Sequence, residues 1–144
     1  MTTIREILKS KPASVWSVSP SATIYAVLEM LAAKDIGAVP VVQDGKVVGM
    51  FSERDYARKV ILRGRTSRDT RVEELMSRPV LYVRPEQTTE ECMAVMTAKK
   101  VRHLPVLEDG RLIGLVTIGD VVKHIIEHRE FVIEQLANYI KGGR

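Results

Sequence analysis

The sequence predicts an α/β (α+β) fold made of two β-α-β-β-α units related by a pseudo-twofold axis. Three observations predict it. "VPVVQDGKVVGMFSERD" at 39–55 returns as "LPVLEDGRLIGLVTIGD" at 104–120, with Pro40 and Pro105, Gly49 and Gly114, and Asp55 and Asp120 each 65 positions apart. In both copies an Asp-Gly pair separates two short apolar runs, the strongest hairpin signal a short sequence offers. An amphipathic stretch at helical spacing precedes each hairpin. A unit of about 60 residues buries its own sheet poorly, and a long period repeated only twice points to a paired module rather than a solenoid.

Each copy reads in the same order. "ILKSKP" at 7–12 and "LMSRP" at 75–79 form a short helical turn ending at Leu8 or Met76, where the register slips slightly. A brief extended segment follows, "ASVWSV" or "VLYV". "PSAT" and "PEQT" then open helices predicted over 22–34 and 87–99, with Pro and Thr as start signals. Strands are predicted at 38–42 and 47–51 and again at 103–107 and 112–116, turning at Asp44-Gly45 and Asp109-Gly110. A closing helix starts at Ser52 or Thr117. The second one runs on, with Val121, Val122, Ile125, Ile126, Ile133, Leu136 and Ile140 on one broad apolar stripe. A chain of this size has little with which to cover that stripe, so a homodimer is expected. The implied organisation is a first repeat at 1–63, a basic linker at 64–71, a second repeat at 72–127 and a helical extension at 128–144.

Composition narrows the function. Of 144 residues, 45% are hydrophobic and 28% charged, the balance of an ordinary globular protein. The longest clean apolar run, "IGAVPVV" at 36–42, is far short of a membrane span. The first residues hold no apolar signal core and the single cysteine, Cys92, excludes an internal disulfide, so a cytoplasmic location is expected. Cys92 sits on a helix face and reads as a small buried hydrophobe. The net charge of +4 comes largely from 58–71, which holds six Arg or Lys against one Asp. A solvated linker or an anion-binding rim both fit that run. No aromatic residue lies inside it for base stacking, which argues against nucleic acid.

The chemistry concentrates at Ser52-Glu53-Arg54-Asp55 and Thr117-Ile118-Gly119-Asp120. A hydroxyl at the N-cap with an acid three residues later is a capping box that needs no ligand. The same residues also suit one. A helix start presents N–H groups to a phosphate, and an Asp carboxylate accepts two hydrogen bonds, as paired ribose hydroxyls require. Pro40 and Pro105 interrupt their strands. Either they blunt an edge, or they leave main-chain groups at Ala38, Val39, His103 and Leu104 open to a purine edge.

With these residues quoted, the chain from Ile4 to about Lys123 resembles a tandem pair of cystathionine-β-synthase (CBS) domains, a Bateman module. The carriers are "GAVPVVQDGKVVGMFSERD" and "RHLPVLEDGRLIGLVTIGD". The resemblance implies an adenosine nucleotide ligand (AMP, ATP or NAD(H)) bound between the repeats. It assigns the phosphate and ribose roles to Ser52 and Asp55, and to Thr117 and Asp120 with Ile118 between them. It also favours the purine-edge reading at Pro40 and Pro105. Arg102 and His103 are secondary candidates for phosphate contact or ring stacking. The first copy carries Arg54 and nearby Arg58 where the second has Gly119 and Lys123, so, if both helix starts share one cleft as the resemblance implies, phosphate charge is expected to drift toward Arg54.

Catalytic readings find little. "HIIEH" at 124–128 spells the inverted zinc-peptidase pattern, with His124 and His128 on one helix face. A catalytic zinc needs a third protein ligand, usually well downstream, and only sixteen residues follow His128, so no metal is expected. It has no nucleophile elbow, P-loop or dinucleotide fingerprint, so it is not expected to be an enzyme. The expected function is a regulatory sensor of energy or redox state that signals to a partner protein. The competing class is an assembly module with a vestigial pocket and the last helix as its working surface.

Overall fold

The computed structural model describes residues 2–12 and 14–141; Met1, Ala13 and residues 142–144 lie outside the description. The elements run α1 (Ile4–Lys9), α2 (Ile24–Lys34), β1 (Ala38–Gln43), β2 (Lys46–Ser52), α3 (Glu53–Asp55), a π-helical turn (Tyr56–Ile61), α4 (Val72–Leu75), α5 (Thr89–Lys99), β3 (His103–Glu108), β4 (Arg111–Thr117) and α6 (Ile118–Ile140). The two copies therefore share one order of elements. Each sheet is a two-stranded hairpin. Both hairpins turn where the sequence placed them, with φ of +52° at Asp44 and +78° at Gly45, and +51° at Asp109 and +79° at Gly110. Two successive left-handed residues match the twist of the flanking strands, and Asp-Gly supplies them at least cost.

The chain divides into two compact units that cut across the repeats. One gathers residues 14–82 with the second hairpin tip, 108–113; the other gathers 2–12, 83–107 and 114–141. In the first unit β1 and β2 pair from Ala38 opposite Ser52 to Gln43 opposite Lys46, with a bulge after Val41. Behind this hairpin lies a core of Ile24, Val27, Leu31, Val39, Val41, Phe51, Val60 and Val72, all nearly or fully buried. Each such side chain contributes roughly 1.5–3 kcal/mol relative to leaving it in water. The second unit buries Ile4, Ile7, Val83, Cys92, Met96, Leu104, Val106, Val116 and Val121.

The unit boundary falls where it does because helical turns and glycines meet locally. α1 joins the second copy's hairpin, and α4 joins the first. A Cβ on Gly114 would stand 2.6 Å from Leu8 Cδ2, and one on Gly49 would overlap Met76 Sδ. These two glycines admit the close approach of a helical turn to a strand.

Three local readings are corrected. The leading strands shrink to single parallel bridges, Val18 with Val41 and Val83 with Val106. Val15 and Trp16 are instead partly exposed, and Trp16 stacks under the Lys34 ammonium at 4.1 Å. The long helices begin two residues late, at Ile24 and Thr89, because Thr23 and Thr88 cap them by accepting from the Ala26 and Glu91 N–H groups. Their prolines sit in the preceding turn, where the Pro20 and Pro85 carbonyls accept from Glu73 and Arg5 N–H. The first closing helix is α-helical only over Glu53–Asp55 before widening into the π-helical turn, whereas its counterpart α6 continues for 23 residues.

Candidate functional site

Both Ser/Thr-x-x-Asp segments form complete capping boxes at the end of a hairpin. In the first, Ser52 Oγ accepts from Asp55 N–H at 3.1 Å while Asp55 Oδ2 accepts from Ser52 N–H at 2.9 Å. In the second, Thr117 Oγ1 accepts from Asp120 N–H at 3.1 Å and Asp120 Oδ2 accepts from Thr117 N–H at 2.9 Å. The next N–H of each helix is taken by the residue that precedes the facing strand: Glu53 donates to Gly37 O at 3.0 Å and Ile118 to Arg102 O at 2.9 Å. These bonds bring Arg102 and His103 beside the Thr117 box, and Ala38 beside the Ser52 box. They also consume three of the first four N–H groups at each start. Little of the helix end is left for a phosphate, contrary to the sequence reading.

The positive charge comes instead from lysines that the sequence reading did not single out. Lys59 Nζ lies 3.3 Å from Asp55 Oδ1 and donates to Leu75 O and Ser77 Oγ at 3.1 and 3.0 Å. Ser77 Oγ in turn donates to Asp55 Oδ1 at 2.9 Å, and Ser52 Oγ to Asp55 Oδ2 at 3.0 Å. In the other unit Lys11 Nζ donates to Asp120 Oδ2 at 2.7 Å and to Leu115 O at 2.8 Å. The side chains of Lys11 and Asp120 are 29% and 23% exposed, so this pair is only partly screened by water.

The two carboxylates are therefore held differently. Both Asp55 oxygens accept hydrogen bonds. On Asp120 only Oδ2 does so among the described residues, and Oδ1 keeps its lone pairs. Burial pushes the Asp120 carboxyl up, but the Lys11 hydrogen bond and the Thr117 N–H together outweigh it and hold the group below its ordinary range. His124 stands at the position equivalent to Lys59. Its Nδ1 lies 2.9 Å from Asp120 O and its Nε2 3.2 Å from Ser10 Oγ. That engagement ties α6 to the end of α1. Among the described residues no group of three or more His, Cys, Asp and Glu is placed to hold a metal ion.

The proline reading needs correction. Pro40 and Pro105 are buried inside continuous strands. Their carbonyls accept from Val18 and Val83 N–H at 3.1 Å. Within a strand one residue's N–H and C=O share a side and the sides alternate. The nitrogen that lacks a proton thus lies away from the hairpin partner, and no ladder bond is lost. Ala38 and His103 share that outward side, while the main-chain groups of Val39 and Leu104 turn toward β2 and β4. Arg54 follows Ser52 by two residues, and its counterpart Gly119 meets nothing closer than Thr117 Oγ1 at 3.6 Å.

The CBS domain family matches this chain twice, over residues 4–62 and 72–127, one match for each hairpin and its Ser/Thr-x-x-Asp helix start. The chain belongs to that family. It is 37% identical to the CBS domain-containing protein CBSX3, mitochondrial, of Arabidopsis thaliana over 153 aligned positions, 99% of this chain and 73% of that protein. Among solved structures it resembles a putative signal-transduction protein with CBS domains from Burkholderia ambifaria, with a TM-score of 0.84, 49% identity, and coverage of 88% of this chain and 95% of the other. Hypoxic Response Protein I, solved with two coordinated zinc ions, is 32% identical with a TM-score of 0.73 over 86% and 99% of the two chains. The CBS domain pair of protein MJ0100, solved with 5′-methylthioadenosine and S-adenosyl-L-methionine, shares the fold at 21% identity and a TM-score of 0.73 over 89% and 98% of the two chains.

Proposed function

We propose that this chain is a non-catalytic regulatory module that binds an adenosine nucleotide (AMP, ATP or NAD(H)) and signals its presence to a partner protein. The observation that carries the reading is the carboxylate–lysine pair at each box, Asp55 with Lys59 and Asp120 with Lys11. A ribose offers two adjacent hydroxyl donors to such a carboxylate, and the displaced ammonium is then at hand for the phosphate. Family membership supports the ligand class. On this reading Ser52, Arg54, Asp55, Ala38 and Pro40 line one site, and Thr117, Ile118, Asp120, Arg102, His103 and Pro105 line the other, with Val39 and Leu104 as apolar backing.

Because Asp120 keeps an open oxygen and Asp55 does not, the Asp120 site fills first. The module works in a cytoplasm-like compartment and as a homodimer; no helix is long and apolar enough to cross a membrane among the described residues. A thermal-shift screen of adenosine compounds tests the reading. A true ligand at about 100 times its Kd raises stability by about 2.7 kcal/mol. A screen in which AMP, ATP, NAD(H) and related adenosines all leave the melting curve unmoved would overturn it.

A further inference from the structure

The second copy carries a histidine where the first carries a lysine. Lys59 Nζ donates to Ser77 Oγ at 3.0 Å, and His124, its counterpart, sets Nε2 3.2 Å from Ser10 Oγ. Each serine follows the short helix of its own unit, Ser77 after α4 and Ser10 after α1. A lysine stays cationic well above neutral pH, whereas a histidine changes charge near neutrality.

The hydrogen bonds around the His124 ring count its protons. Asp120 O, 2.9 Å from Nδ1, is a carbonyl and can only accept, so Nδ1 carries a proton. Ser10 has one hydroxyl proton, and it is donated to Ile7 O at 2.8 Å. Ser10 Oγ therefore accepts from Nε2, and that nitrogen brings a proton of its own. Only the charged ring makes all three bonds. With a neutral ring, Ser10 must turn its proton to Nε2 and leave Ile7 O, or Nε2 faces a lone pair. Neighbouring charges do not take over this role. Of the lysines flanking Ser10, Lys9 and Lys11, the second is engaged by Asp120 Oδ2 and Leu115 O. α5, which also packs on α6, uses Glu91 and Glu90 at its own start on Thr88 and Thr89, and Lys99 is its last residue. On α6 itself Asp120 lies one turn before the ring, Lys123 beside it, and Glu127 and His128 one turn after. None of these forms an ion pair with His124 among the described residues.

We infer that His124 is a charge-dependent clasp and a positioning residue for Asp120. Charged, it fixes Ser10 on α6 and so holds the adjoining Lys11 on the Asp120 carboxylate; neutral, it lets the end of α1 loosen. The Asp55 box, held by a lysine, has no such response. Folding favours the charged ring, so the clasp contributes stability on the acid side of neutrality and loses it as pH rises. Its consequence for a ligand rests on the nucleotide reading above; the clasp does not.

Urea melts of the full ligand-free chain, from mildly acidic to mildly alkaline pH, test it against His124→Lys, the permanently charged counterpart. The other two histidines are common to both chains. As pH rises, wild type should lose about threefold in its folding equilibrium relative to His124→Lys, the scale of one partly exposed hydrogen bond. In a Ser10→Ala background that difference should vanish. At mildly acidic pH, Lys11→Met should cost less in a His124→Gln chain than in wild type, because the two side chains act together. Parallel profiles for wild type and His124→Lys, or additive losses for Lys11→Met and His124→Gln, would overturn the inference. AMP titrations of the same proteins keep the two readings apart. AMP binding with parallel ligand-free profiles would sink the clasp and spare the nucleotide reading, and a responsive profile without any AMP binding would do the reverse.

Discussion

Asp120 and Asp55 occupy equivalent places but are held by different partners. Asp55 accepts from Ser52 and Ser77 and pairs with the Lys59 ammonium, whereas Asp120 leaves Oδ1 open beside a single lysine. Asp120→Ala is therefore expected to weaken nucleotide binding by roughly 1.5–3 kcal/mol, the value of a hydrogen bond to a charged group. Asp55→Ala should weaken it less. Isothermal titration on both variants checks the order, and a larger loss at Asp55 would contradict it. Arg54→Ala should cost ATP or NAD(H) more affinity than AMP, because only the longer ligands carry phosphate to it; equal losses would make Arg54 a general anchor. The depressed Asp120 carboxyl also has a pH signature. A pKa lowered by folding contributes stability that is present above the ordinary carboxylate range and is lost as pH falls through the folded value. Lys11→Met should therefore flatten the acid limb of stability, measured by urea melts across mildly to strongly acidic pH. An unchanged limb would mean that the Lys11 pair is not formed in solution. The hydroxyl and the carboxylate of each box were legible in the sequence at once. Lys59 was also readable, four residues after Asp55 on the same turn. Lys11 and Ser77 were not, because they lie where the repeat register slips.

At the scale of elements, the hairpins were the most legible feature, since Asp-Gly demands one backbone geometry and the flanking apolar runs fix the register. The leading strands were the least. Their residues alternate like a strand, but only Val18 and Val83 find a partner, and nothing local to the sequence announces that. The π-helical turn was equally hidden: Tyr56–Ile61 has the same apolar spacing as the start of α6. What the repeat did encode was Gly49 and Gly114, whose meaning emerges only from packing. Gly114→Ala is expected to destabilise by roughly 1–3 kcal/mol, the usual cost of overpacking, by driving a methyl into Leu8. Leu8→Ala in the same chain should recover part of that loss, because the two changes share one space. Additive losses in chemical denaturation would show that the glycine serves some other purpose.

Across the whole molecule, the compact units do not follow the repeats: residues 2–12 belong with 83–107, and 14–82 take in the tip at 108–113. Separate expression of 1–63 or 72–127 would thus remove a helical turn from the hairpin it packs on. Cys92 reports on this integrity. It is fully buried, and burial pushes its thiol up to about 11, so a thiol reagent should reach it only through unfolding. Rapid labelling under native conditions would contradict the packing of α5.

The central claim is that the Asp55 and Asp120 carboxylates hold an adenosine nucleotide. Equilibrium binding of AMP, ATP and NAD(H) to the wild-type chain and to the Asp55→Ala/Asp120→Ala double variant, with circular dichroism to show that both are folded, tests it most directly. Saturable binding to the wild type that disappears in the double variant is the expected result. A folded double variant that binds the same nucleotide with undiminished affinity would contradict it, and would leave both boxes as helix caps alone.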